Sequence, residues 1–216
     1  MRTLYLASMS PRRRALIQLL DLPVEVLAVD VDEEIVTLVD PAQNAIERAR
    51  IKAKAAKVVT PVDALIVASD TVVALGQDRL GKPVDADDAR QTLTRLRGQT
   101  HQVHTGIVLL DKKSGAEQSD VATIDVPMRD YSDAEIEAYI DSGDPFDKAG
   151  SYGIQHPVFE PVLHLMGCYA GVMGFPLCHL TRALARWEII VSADVPAACQ
   201  QYNEYNCTVF ETILDN

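Results

Sequence analysis

Three consecutive arginines, Arg12, Arg13 and Arg14, follow a loop of small residues, Ser8-Met9-Ser10-Pro11. Ser10 suits a helix N-cap and Pro11 the first helical position, so the arginines fall in a first turn whose positive dipole end disfavours cations. Backbone N–H groups at a helix start and guanidinium forks together fit a polyphosphate; without an anion the same residues are a solvated basic turn. Asp70 and Thr71 follow the apolar run Ala64 to Ala68. A carboxylate at the buried end of a strand has to be paired, hydrogen-bonded or bound to a metal, the plainer alternative being a strand-terminating turn. Glu33 and Glu34, reached through Asp30 and Asp32, are carboxylates of the kind a hard cation such as Mg²⁺ takes, or else solvated surface. Lys52, Lys82 and Lys148 each stand near a turn or a packed face. Singly they read as surface; together with acidic and Gly-containing loops at element ends they point to a phosphate site.

Several other chemistries find little support. His101 and His104 lie three apart on an expected strand, on opposite faces, which makes a poor metal pair. His156, His164 and His179 are scattered, and Ser8, Ser10 and Ser151 lack an evident histidine partner. Neither GxGxxG nor GxxxxGK[ST] occurs. Cys168, Cys178, Cys199 and Cys207 form no CxxC pair, so free thiols filling a core are favoured over a disulfide or a metal site.

The elements that must position these residues alternate irregularly. Thr3 to Ala7 reads as a strand and Pro11 to Leu20 as a helix, followed by a strand over Glu25 to Val31. Asp40-Pro41 opens a long helix whose small apolar stripe is Ala42, Ala45, Ile46, Ala49 and Ala53, with Lys52 at its margin. Ala64 to Ala68 is a strand buried on both faces, ending at Ser69-Asp70-Thr71. Asp85 caps a helix over 86–97 that Gly98 closes. Gln102 to Leu110 and Val121 to Met128 alternate with period two around a turn at 112–115 and read as antiparallel strands. Ser132 and Glu135 form a capping box, and Gly143 ends that helix. The loop Asp144 to Gln155 then leads to a last strand near Leu163 and a helix over 177–187. This order predicts an α/β fold with a mixed sheet and two lobes around a cleft, rather than a doubly wound parallel sheet.

The chain has 216 residues, 48% of them hydrophobic, enough for one domain with a substantial core. Its formal charge of -11 makes sequence-independent binding to nucleic acid a poor expectation, so any phosphate binding is local. No apolar run reaches membrane-spanning length, and the basic cluster follows the first apolar stretch, the reverse of a secretory signal. A soluble cytoplasmic protein is expected.

The ordered segments L-A-S-M-S-P-R-R-R, S-D-T-V-V, G-K-P, G-Q-T-H-Q-V-H-T-G, D-K-A-G-S-Y-G-I-Q and G-F-P-L closely resemble the Maf family of nucleoside triphosphate pyrophosphatases. The resemblance runs from about Leu4 to about Leu184. It implies the fold of inosine triphosphate pyrophosphatases, a domain over 1–187 and an extension over 188–216. It also implies water attack at the α-phosphate of dTTP or UTP with Mg²⁺ or Mn²⁺, and a homodimer. Residue by residue, Ser8, Arg12 and Arg13 match the family's phosphate loop and Glu33 its early carboxylate. Lys52 and Lys82 match its cleft lysines, Lys148 its D-K-A-G lysine and Asp70 its proton acceptor, with Asp70 and Glu33 as metal ligands. Arg12, Thr71 and Gln155 match the positions tied to substrate choice, in the dTTP/UTP combination. After Gln155 the family's glycine-rich step is replaced by His156-Pro157-Val158-Phe159, which bears on the base pocket. The alternatives are a nucleotide-binding regulator of cell division without turnover and a phosphatase acting at the γ position.

Overall fold

The computed structural model describes residues 2–215. Its sheet runs β2-β1-β3-β5-β6, with β4 hydrogen-bonded to β3 off that path. The strands are β1 (Leu4–Ala7), β2 (Val24–Leu27), β3 (Leu65–Leu75), β4 (Asp78–Leu80), β5 (Thr100–Asp111) and β6 (Glu117–Pro127). β1 pairs in parallel with β2 and β3, whereas β3, β5 and β6 pair antiparallel, so the sheet is mixed as expected.

One face of the sheet carries α2 (Pro41–Val59). Asp40 caps it by accepting the Gln43 N–H at 2.8 Å, and Pro41 occupies its first turn. Ala45, Ala49, Ala53 and Ala56 are fully buried and bring the helix close to Tyr5, Ile66, Ala68 and Val108. The other face supports the larger core. There α1 (Pro11–Ile17), α3 (Ala86–Leu96), α4 (Asp133–Asp141), α5 (Tyr169–Val172) and α6 (Leu177–Ala185) pack around Leu16, Leu93, Val103, Ile124 and Phe175.

Three expectations change. The strand at Asp70 does not end there: β3 continues to Leu75, held by β5 from Leu65 to Ala74. What ends is its neighbour. β1 pairs with Leu65 through Ala68 only, and β4 joins from Val73, so residues 69–72 have a strand on one side alone. The strand expected over 25–31 spans Val24–Leu27, because β1 offers only four residues to pair with. No strand forms near Leu163. Pro157 and Pro161 cannot donate to a ladder, Glu160 has φ 42°, and the carbonyls of Phe159 and Glu160 accept from the Arg129 side chain instead.

Residues beyond 187 form α7 (Val195–Asn203) and α8 (Phe210–Leu214). Val195 is buried, and Ile189, Val191, Cys199 and Ile213 pack against the larger core. Tyr205 donates its hydroxyl to the Leu165 carbonyl at 2.7 Å, and Arg182 reaches the Ile213 carbonyl at 2.9 Å. All four cysteines are free thiols, gathered where this tail meets α5 and α6.

Candidate active site

The gap left where β1 stops opens into a cleft of about 1150 Å³. Ser8, Arg12, Arg13, Glu33, Lys52, Asp70, Thr71, Lys82, Lys148 and Gln155 all line it, so every residue matched to the family's site reaches one cavity. Eight Lys and Arg side chains line it against six Asp and Glu, a local cationic excess in a chain whose formal charge is -11. Such a patch suits a polyanion while the rest of the surface repels one.

Asp70 sits at the floor of this cavity, 4% exposed. Its Oδ1 accepts from Lys52 Nζ at 2.6 Å, and the same ammonium lies 2.6 Å from Glu33 Oε1. Lys52 is one of the buried residues of α2, which carries it over Asp70. Asp70 Oδ2 is buried without any hydrogen-bond partner among the described residues. Burial pushes the Asp70 carboxyl above the ordinary range, opposed by the cations Lys52 and Arg13. Burial also raises Glu33, but Lys52, Asp70 and Arg13 outweigh it, and Glu33 ends below its ordinary value. Two neighbouring carboxyls are thereby driven apart, Asp70 toward holding a proton and Glu33 toward ionisation.

The arginines divide their work. Arg13 Nε donates to the Gly174 carbonyl at 2.8 Å and Nη2 to Thr71 Oγ1 at 3.1 Å, which fixes the guanidinium plane beside Asp70. Arg12 stays in the cleft with only a 3.5 Å contact to Asp147 Oδ2. Arg14 turns back, donating to the Ser8 carbonyl at 3.3 Å, and so braces the loop. That loop is tightened further by the Ser10 N–H on Ser8 Oγ at 3.2 Å and by Ser10 capping α1 through the Arg13 N–H.

On the opposite wall Lys148 Nζ donates to the Asp144 carbonyl at 2.6 Å, to Asp144 Oδ1 at 2.8 Å and to Asp147 Oδ1 at 2.6 Å. The segment is tied to the G-K-P turn by the Gly150 N–H on the Gly81 carbonyl at 3.0 Å. Lys82 and Gln155 are exposed at the rim, and neither makes a hydrogen bond among the described residues.

The Maf-like protein family profile matches residues 3–187. This chain belongs to the Maf family. Among curated Maf relatives it is similar to the dTTP/UTP pyrophosphatase of Xanthomonas euvesicatoria pv. vesicatoria, 42% identical, covering 84% of this chain and 96% of that one. The dTTP/UTP pyrophosphatase of Carboxydothermus hydrogenoformans is 40% identical over 85% of this chain and 98% of its own length. A more distant likeness joins it to the crystal structure of a nucleoside-triphosphatase / dITP/XTP pyrophosphatase from Mycobacterium abscessus, at 17% identity and TM-score 0.42 over 86% of this chain and 94% of that one. That last similarity decides nothing further.

Three groups in this Maf chain escape a reading of the sequence alone. Asp144 and Asp147 hold Lys148; their spacing to it, i−4 and i−1, was visible, but only the turn between them brings all three together. Arg48 lies one helical turn before Lys52, lines the cleft and pairs with Glu34 at 2.9 Å. Thr105, buried within the H-T-G segment, faces Thr71 across the sheet. Only the β3–β5 register pairs those two residues.

Proposed function

We propose that this Maf protein hydrolyses dTTP and UTP to the nucleoside monophosphate and pyrophosphate. The observation that carries the reading is a buried Asp70 with one unpartnered oxygen at the floor of a cationic cleft. The names of relatives at about 40% identity over most of the chain support it independently.

In this reading Arg12, Arg13, Lys82 and Lys148 bind the triphosphate and spread its charge. Ser8 and the N–H groups at the start of α1 hold a phosphate at the helix terminus. Phosphoryl chemistry needs positioning and charge neutralisation more than a covalent nucleophile, which matches a cleft of cations and carboxylates. Water attacks the α-phosphorus, the bond to the α,β-bridging oxygen breaks, and pyrophosphate leaves. Asp70 Oδ2 accepts the proton from the attacking water, a task its burial-raised basicity suits. Thr71 and Gln155 read the base.

Asp70 and Glu33 are also the residues that would hold a divalent cation. Among the described residues no three His, Cys, Asp or Glu side chains gather as a metal cage. Two carboxylates fit Mg²⁺ or Mn²⁺ nonetheless, because such ions bind through one or two carboxylates plus substrate phosphates, and Asp70 Oδ2 has a lone pair unused. When bound, the ion supplies Lewis-acid polarisation of the phosphate. Lys52, shared by the two carboxylates, keeps them close and limits their repulsion.

The same reading places the enzyme in the cytoplasm as a homodimer, with a nucleoside triphosphate and no nucleic acid as partner. No helix among the described residues is long and apolar enough to cross a membrane. Residues 1–187 form the catalytic domain in this reading and 188–216 an extension. The test is to incubate dTTP, UTP, CTP, GTP and 7-methyl-GTP with Mg²⁺ or Mn²⁺, with and without EDTA, and to separate the products. Monophosphate plus pyrophosphate from dTTP and UTP, abolished by EDTA, is the expected result. Release of inorganic phosphate from the γ position, or binding without turnover, overturns it.

A further inference from the structure

Thr71 and Thr105 face each other on β3 and β5, their hydroxyl oxygens 3.1 Å apart. By distance alone either oxygen is the donor. The surrounding groups remove that freedom. Thr105 Oγ1 lies 2.8 Å from the carbonyl of Gly171, which has no hydrogen to give, so the single Thr105 proton goes there. Thr105 is fully buried, so no water supplies a different arrangement. Its oxygen must then accept, and Thr71 must donate to it.

The other side of Thr71 is equally constrained. Arg13 Nη2 is a donor only and lies 3.1 Å from Thr71 Oγ1, so it takes one lone pair. The Thr71 hydroxyl has therefore spent its proton on Thr105 and one lone pair on Arg13. What remains is one lone pair and no hydrogen. Neighbouring backbone holds the arrangement: Gly174 carries φ +98°, and a Cβ there would fall 2.9 Å from Thr71 Oγ1. The Gly174 carbonyl also accepts from Arg13 Nε at 2.8 Å and from Ser69 Oγ at 2.9 Å, which keeps the guanidinium in place.

The face that bears these hydroxyls is the less polar end of the cleft. Val73 and Val103 pair two residues further along the same face, and they line the cavity with Tyr152, Val172 and Met173. Arg12, Glu33, Arg48, Lys52 and Asp70 gather around the Ser8 loop and α2, while Lys82 and Lys148 stand on the wall across from them. A nucleotide whose phosphates lie between the Ser8 loop and these two lysines would have its flat base beside Thr71.

We infer that Thr105 is a positioning residue for base choice: it fixes the Thr71 hydroxyl as an acceptor, which matches the N3–H donor of uracil and thymine and opposes the N3 lone pair of cytosine. The inference rests on the proposed nucleotide pyrophosphatase reading and adds to it the direction of one proton and the residue that sets it. Discrimination then needs no new contact at Thr105 itself. A site built to accept a hydrogen rejects a base that lacks it, since both lone pairs would be left facing each other.

The test measures kcat and KM for dTTP, UTP, dCTP and CTP in the intact protein and in T105V, which keeps the shape and removes the hydroxyl. With no acceptor behind it, the Thr71 proton is free to turn toward the cleft. The dTTP:dCTP ratio of kcat/KM is expected to fall by about tenfold, mostly through KM, the size of one neutral hydrogen bond. T105S restores the hydroxyl and the original ratio. If T105V loses its folded circular dichroism spectrum, T105A removes the same oxygen without added bulk and bears the same expectation. A uniform loss on all four nucleotides, with the ratio kept, overturns the inference and makes Thr105 a packing residue. No turnover by the intact protein on any nucleotide overturns the reading beneath it instead.

Discussion

Replacing Gly106 with alanine tests how α2 delivers Lys52 to Asp70. A methyl carbon at residue 106 would lie 2.6 Å from the Ala45 carbonyl carbon and the Ile46 nitrogen, and 2.7 Å from the Ala45 oxygen. All three are backbone atoms, so no change of rotamer relieves the overlap. Recovering an ordinary van der Waals contact requires α2 and β5 to part by roughly 0.8 Å, and close-packed interiors transmit such shifts rather than absorb them. Lys52 lies about 10 Å further along the helix at 1.5 Å per residue. Its 2.6 Å contacts to Asp70 and Glu33 would open toward the outer limit of a hydrogen bond. The expected loss of stability is about 1–3 kcal/mol, read as a lower urea midpoint. Turnover of dTTP should fall by about 100-fold, as for a misplacement near 1 Å at a reacting group. KM should move less, because Arg12, Arg13 and Lys148 sit on other elements. An unchanged midpoint would refute the close approach. A lowered midpoint with full kcat would refute the link between that approach and the carboxylates.

Asp70→Asn keeps the shape and removes the base, so turnover of dTTP should drop by at least about a thousandfold while calorimetric nucleotide binding persists; near-normal turnover would remove Asp70 from the chemistry. Glu135 is held down to about 2 by Arg129 first, then by the Ser132 N–H and hydroxyl. A carboxyl depressed in the folded state stabilises above its unfolded value, about 4.3, and loses that stabilisation as the pH falls toward 2. Urea midpoints between pH 5 and 3 should therefore fall less steeply in Glu135→Gln than in the parent, and equal slopes would contradict the assignment. Burial raises the thiols of Cys178 and Cys199 to about 12 and about 11, and Cys168 still further. Iodoacetamide at pH 8, followed by mass spectrometry, should label the half-exposed Cys207 well before Cys168 and Cys178, which react only on unfolding.

Much of the site was legible because its chemistry conflicts with local expectation. Arginines in a helix's first turn and an aspartate after five apolar residues are both unfavourable unless something compensates, and each lies in the cleft. Helix ends were legible for the same local reason: Asp40, Asp85 and Ser132 all cap where their side chains can reach the next turn. What required the fold was pairing between distant segments. The apolar run ending at Ala68 looks like a strand terminus, yet β3 persists because β5 supplies partners that no property of residues 69–75 reveals. The region around Leu163 carries apolar residues like a strand, but two prolines and the Arg129 guanidinium give its carbonyls other partners. Beyond residue 187, Val195 is buried and Ile213 packs against the common core, contacts between distant segments that the sequence of the tail does not announce.

The shortness of β1 ties these observations together. Four residues of β1 pair with Leu65 through Ala68, and beyond Ala7 the chain turns into the Ser8 loop and the start of α1. β1 and its parallel neighbour β2 thus reach their carboxyl ends together, at Ala7 and Leu27, the place where open α/β sheets receive ligands. The third parallel strand does not stop there. β3 carries Asp70 and Thr71 past its neighbour with β5 still bonded behind them, so both side chains sit on backbone held along its other edge. Alternation then sends Asp70 to the α2 face, where Lys52 waits, and Thr71 to the opposite face, where Arg13 and Thr105 wait. Lengthening β1 by two residues would cover that open edge and close the cleft between the two. A site of this kind is therefore made by ending one strand early, and its two consecutive residues face opposite sides of the sheet; in the proposed reading the first serves the phosphate chemistry and the second the base.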